Sequence, residues 1–285
     1  MFVLSNAQAD REFAAPAPER KVYRTDMTDP RTTAAKLTAR LRDTFRDELR
    51  AVVLFGSVPR GEAIPGVSDL NTLVLLDSVA TAILARAAPV VRDWIRGGNT
   101  PPHIYSVDEW SGMRDTFAIE MADMQDARDV LWGKDPVTLD AVQFADLRLH
   151  AERETRETLL QLRLRLMLAA DSAIDVGALL LSGLPSFTAY MRAAVRLSGE
   201  EPGLDTRPVI ERAAKLIDSD PAPMLTCWNT RRMLRNPTVP LTDRLVEQYL
   251  GFVNDLLRYL EVVRVAIPER RGPTVGVRTS GPISQ

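Results

Sequence analysis

Hydrophobic positions recur every four residues at Leu37, Leu41, Phe45 and Leu49, a spacing that predicts an amphipathic helix over residues 32–50. The next run, Ala51-Val-Val-Leu-Phe55, is continuous, rich in strand formers and stopped by Gly56-Ser57, so it reads as a buried strand. A polar loop with Gly61, Pro65 and Gly66 separates it from a second apolar run, Leu70 to Leu76. Residues 79–96 return to a helical pattern and end at Gly97-Gly98-Asn99. Residues 102–106 are short and extended, and Ser106 with Glu109 forms the signature of a capping box opening another helix. In Phe117 to Met124, apolar Phe117, Ile119 and Met121 alternate with Ala118, Glu120 and Ala122. That alternation predicts a third strand.

From Gln125 onward strand patterns fade, and residues 139–267 are predicted to be helical. Leu160, Leu164, Met167 and Leu168 share a face with Asp171, while Arg153, Glu154, Arg156 and Glu157 read as solvated. Prolines 185, 202, 208, 221, 223, 237 and 240 are expected to divide the region into separate helices. Residues 1–30 and 268–285 carry no periodicity and are expected to be disordered. The organisation expected is an α/β unit over 31–138, with a sheet and helices, followed by an all-α unit over 139–267.

Composition narrows the function classes. Among 285 residues, Lys and Arg nearly cancel Asp and Glu for a formal net charge of -2, so nothing asks for bulk nucleic acid as a partner. The single cysteine, Cys227, cannot form an intrachain disulfide, and two histidines, His103 and His150, cannot complete a Cys/His zinc site. The opening residues lack the pattern of a signal peptide, and the apolar segment Ile174 to Leu184 is too short to span a bilayer. A cytoplasmic protein without a membrane partner is the expectation. His103 reads as packed or on the surface, His150 as solvated in a charged helix, and Arg231, Arg232 and Arg235 as a solvated helix face. Trp94, Trp110, Trp132 and Trp228 are scattered like packing residues.

The stretch that suggests chemistry is Leu54-Phe-Gly-Ser-Val-Pro-Arg-Gly-Glu-Ala, with Asp69-Leu-Asn71 following Ser57. Gly56 permits close backbone approach to phosphate, the Ser57 hydroxyl can donate to a phosphate oxygen, and Arg60 and Ser68 lie within the same loop. Hard divalent cations bridging phosphates require carboxylates, and two acids two residues apart on a strand face the same way. Asp69 supplies the first. At position 71 the residue is asparagine, whose amide oxygen can coordinate a metal without adding charge.

This arrangement resembles the nucleotidyltransferase superfamily, in which an apolar residue, Gly, and Gly or Ser precede a loop and then Asp-apolar-Asp-apolar. It is most similar to the aminoglycoside-adenylyltransferase-like and minimal nucleotidyltransferase branches. The resemblance implies a nucleotidyltransferase-like mixed sheet with helices, followed by an all-α helical domain. It further implies that Gly56, Ser57, Arg60 and Ser68 bind nucleotide phosphates, that Asp69 and Asn71 hold Mg²⁺, and that a third carboxylate comes from a later strand of the sheet. Glu120 is the first choice for that third acid, as metal ligand or general base, and Asp123 the second. The activity implied is transfer of a nucleoside monophosphate from a nucleoside triphosphate to a hydroxyl acceptor, with a homodimer admitted. A nucleotide-binding or regulatory module that has lost turnover is the alternative, because Asn71 removes one metal carboxylate. A partner-binding protein without nucleotide would be indicated if the loop from Val58 to Ser68 filled the cleft.

Overall fold

A computed structural model of the chain describes residues 29–64, 67–113, 115–137, 142–235 and 237–263. Most of the expected lead-in and the whole expected tail lie outside them. Helix α1 (Pro30–Phe45) is capped by Asp29, which accepts from the Thr32 backbone N–H. It buries Leu37, Leu41 and Phe45 as the spacing predicts. The fourth member of the series, Leu49, instead opens strand β1 (Leu49–Phe55), because a 3-10 turn at Arg46–Glu48 ends the helix first.

Strand β2 (Asn71–Leu76) pairs antiparallel with β1, placing Asn71 opposite Phe55. Helix α2 (Thr81–Arg96) leads to β3 (His103–Ser106), which runs parallel to β2 with His103 beside Leu73. Ser106 then caps α3 (Val107–Ser111) in the expected capping box with Glu109. The segment predicted as a third strand is helix α4 (Ala118–Asp126). Its Ala, Met, Glu and Gln content favours helix, and only Ile119 is β-branched, so propensity overrides the two-residue alternation. Strand β4 (Arg128–Gly133) follows and pairs antiparallel with β1, giving a mixed sheet ordered β3-β2-β1-β4.

One sheet face carries Val52, Leu54, Val74 and Leu76 against α1 and α2. The other carries Ala51, Val53, Phe55, Leu73 and Leu75 against Trp110 of α3 and Met121 and Met124 of α4. The opposite side of α4, with Ala118, Ile119 and Ala122, belongs to the core of the helical half. Helix α4 therefore joins the two hydrophobic cores, each buried leucine or methionine contributing about 1.5–3 kcal/mol.

The helical half contains α5 (Phe144–Leu168), α6 (Ala173–Leu197), α7 (Thr206–Leu216), α8 (Ala222–Arg232) and α9 (Arg244–Val262). Helix α6 runs through the middle and continues past Pro185, where a break was expected. Proline lacks the N–H that would bond the carbonyl of Leu181. Arg231 of α8 donates to that carbonyl instead, at 3.2 Å. Because it is unbroken, α6 is long and apolar enough by composition to cross a membrane, against expectation, yet much of it is buried as the core of the bundle. On α5 the apolar face that was expected to pack, Leu160, Leu164, Met167 and Leu168, is exposed. The buried face is Leu147, Ala151, Thr155, Leu159, Leu162 and Leu166.

Candidate functional site

A cleft of about 390 Å³ lies between the sheet and the helical half. Gly56, Ser57, Arg60, Ser68, Asp69, Asn71 and Glu120 all line it, so every residue singled out from the motif reaches one cavity.

Strand β1 ends in the cleft at Gly56, whose φ of 85° lies in the left-handed region. A Cβ added there would sit 2.8 Å from Asn71 Nδ2, so the turn and the asparagine amide are fitted to each other. The chain then closes a tight loop: the Ser57 carbonyl accepts from Glu62 N–H at 2.9 Å and the Val58 carbonyl from Gly61 N–H at 3.0 Å. Val58 is buried in the sheet's core, and Ser68 Oγ accepts from Ile64 N–H at 2.8 Å, which closes the loop and leaves its O–H able to donate. The described part of the loop thus borders the cleft and leaves it open.

Glu62 crosses to the helical half. Its carboxylate accepts from the Thr206 backbone N–H at 2.6 Å and from the Thr206 hydroxyl, at the start of α7. Its partner charge is Arg192 of α6, 3.6 Å away and 1% exposed. Arg192 also donates to the carbonyls of Gly203 and Leu204. Burial, and then the neighbouring Arg60 charge, pull the Arg192 pKa below the usual guanidinium range. No spacing in the sequence links Glu62 to Arg192, although Glu62 falls within the motif.

Glu120 is in the cleft, but on helix α4 and not on a strand. The nearby basic side chain is His150 of α5, with Nδ1 at 3.9 Å, and one of the Glu120 carboxylate oxygens is buried without a hydrogen bond. Burial is the main cause that raises its pKa, with the Asp123 and Glu154 charges adding to it. Asp123, the second choice, is held by Arg60 at 3.3 Å and Arg196 at 3.9 Å. His150, expected in solvent, is buried because α4 packs over it; its Nδ1 accepts from Ile119 N–H at 3.4 Å. That burial lowers its pKa.

The sheet strand beside β2 does send a residue to the cleft, and it is His103. It stands on the same sheet face as Asn71 and Phe55, its ring 5.7 Å from that of Phe55. Burial lowers the His103 pKa, which favours the neutral imidazole. Its position at the start of the next extended segment was the signal available in the sequence. Arg231 and Arg232, read there as a solvated face, line the opposite wall together with Trp228.

The sheet-side residues alone do not suit a pair of magnesium ions. Two such ions over a triphosphate need several carboxylates at one place. At the sheet end Asp69 is accompanied by the neutral amide of Asn71, and the carboxylates of Glu120, Asp123 and Glu154 come from helices α4 and α5. Among the described residues, no three His, Cys, Asp or Glu side chains converge to hold a metal ion.

The sequence matches no family model and no curated protein. The structure is similar to the solved structure of spectinomycin adenyltransferase AAD(9) from Enterococcus faecialis with ATP and spectinomycin. The TM-score is 0.54 at 14% identity, covering 82% of this chain and 100% of that one. The chain therefore has the nucleotidyltransferase fold, a mixed sheet with helices followed by a helical region.

Proposed function

We propose that this chain binds a nucleoside triphosphate in the cleft between its sheet domain (31–138) and its helical domain (139–267). The observation that carries the reading is the left-handed Gly56 turn, which brings Ser57 and Arg60 to the cleft wall and faces arginines of the helical half. Gly56, Ser57, Arg60 and the loop closed by Ser68 are read as the phosphate cradle. A cytoplasmic setting, where triphosphates are abundant, fits this role. Calorimetric titration of ATP, GTP, CTP and UTP into the pure protein tests it. At least one should bind, and Ser57→Ala should weaken that binding by about tenfold. Failure of all four to bind overturns the reading.

A second reading, nucleoside monophosphate transfer to a hydroxyl acceptor, is favoured by Glu120. A half-sequestered carboxyl with a raised pKa and an unpaired oxygen in the cleft is suited to act as a general base. The acceptor oxygen would attack the α-phosphorus, its proton passing to Glu120 as the bond to pyrophosphate breaks. Because the neighbouring structure was solved with ATP and spectinomycin, these are the first pair to try. Pyrophosphate release that depends on acceptor and disappears in Glu120→Gln would support transfer; none with any acceptor would leave a binding module.

A further inference from the structure

The charges around the cleft differ from what a carboxylate-held metal pair would require. On the sheet side the lining acids are Asp69 and Glu62, and Glu62 is already engaged by Arg192 and Thr206. Asn71 brings no charge to this wall, and burial favours the neutral form of His103 on the next strand. On α4, Asp123 is shared between Arg60 and Arg196, and Glu120 stands apart from them beside His150.

Cations, in contrast, come from both walls. Arg60 projects from the loop with its Nη1 on Asp123 and its Nε buried without an acceptor, as is the Nε of Arg192, while Asp123 Oδ1 and Glu120 Oε2 are buried without a donor. Arg232 lies over the Trp228 ring, 5.0 Å from its centroid, and among the described residues no carboxylate pairs with it. A guanidinium stacked on an aromatic face keeps its N–H edge available, and that planar fork matches phosphate geometry. Unsatisfied donors on buried arginines are costly unless a ligand completes them.

We infer that the cleft holds a nucleotide's phosphates through arginine side chains, independently of divalent metal. This rests on the triphosphate-binding reading above. Neutral residues at positions 71 and 103 then fit the role, since added carboxylates would repel phosphate wherever no metal intervened.

The test is titration of a fluorescent ATP analogue into the full chain, once in EDTA and once in MgCl₂. Binding should be at least as tight in EDTA. Arg232→Ala, a substitution at an exposed position, should weaken it by about tenfold in EDTA. In Asn71→Asp/His103→Glu, binding in EDTA should fall and Mg²⁺ should restore it by about tenfold or more. Wild-type binding that requires Mg²⁺ overturns this inference alone and leaves the triphosphate reading standing. No binding in either condition overturns both. Unchanged affinity in Arg232→Ala overturns the assignment of phosphate contacts to that wall.

Discussion

Removing the Glu62 carboxylate should destabilise the protein more than any other single change in the loop. Glu62 is the charge partner of Arg192, a cation only 1% exposed, and the acceptor for the first N–H of α7. Breaking a buried pair from one side typically costs about 3–5 kcal/mol, because the remaining charge stays in a poorly solvated place. Here the Gly203 and Leu204 carbonyls still accept from Arg192, and Asp123 and Asp126 contribute at longer range, so the lower end applies, about 3 kcal/mol. Glu62→Gln keeps an acceptor for Thr206 and should cost about 1–2 kcal/mol. With a urea m-value of about 3 kcal/mol/M, as suits a chain of this size, Glu62→Ala should lower the midpoint by about 1 M. Glu62→Ala/Arg192→Met should recover part of the loss, since it removes the stranded charge. Equilibrium urea unfolding followed by tryptophan fluorescence and circular dichroism measures these three and the Arg192→Met single. If Glu62→Ala unfolds at the wild-type midpoint, or the double variant is as unstable as the sum of the singles, the buried pair does not join the halves as described.

Gly56→Ala forces a side chain into left-handed backbone and against Asn71 Nδ2. A loss of about 1–3 kcal/mol in stability, with triphosphate binding abolished, is expected from thermal unfolding and titration. Glu120 has its pKa raised by burial, so its ionised form burdens the folded state above that pKa and not at acid pH. Glu120→Gln should therefore raise the melting temperature at pH 8, with the gain fading as pH falls towards 4.5. His103 and His150 are shifted the other way, below their unfolded value near 6.5. Protons then favour the unfolded chain, so stability should be complete above about pH 6.5 and decline below it. His150→Gln should flatten that decline in a melting series across pH. Arg231→Gln should cost about 1 kcal/mol by stranding the Leu181 carbonyl, and less in a Pro185→Ala background, where the backbone supplies the missing N–H.

The amount of this legible in the sequence follows physical lines. Strands β1 and β2 are continuous apolar runs ended by glycine or a charged loop, and no other element competes for such a pattern. Strand β4, Arg128-Asp-Val-Leu-Trp-Gly, is an edge strand only partly buried, so it lacks the apolar run that reveals an interior strand. Helix α4 misled because eight residues hold too few periods to separate alternation from helix, and its Ala and Met residues serve two cores at once. Helix α5 is apolar on two faces, and the pattern alone cannot say which of them α6 and α9 will cover. Within the candidate site, Gly56, Ser57 and Asp69 were readable because they lie in one stretch of sequence. Arg192, His103 and Arg232 were not, since their meeting depends on how β3, α6 and α8 are placed around the cleft.

The most direct test of the account is hydrogen–deuterium exchange of the full chain with and without saturating ATP. It should slow exchange in two separate segments, Gly56 to Glu62 on the sheet side and Trp228 to Arg232 on the helical side. Binding that protects neither segment would contradict the claim that this cleft is the nucleotide site.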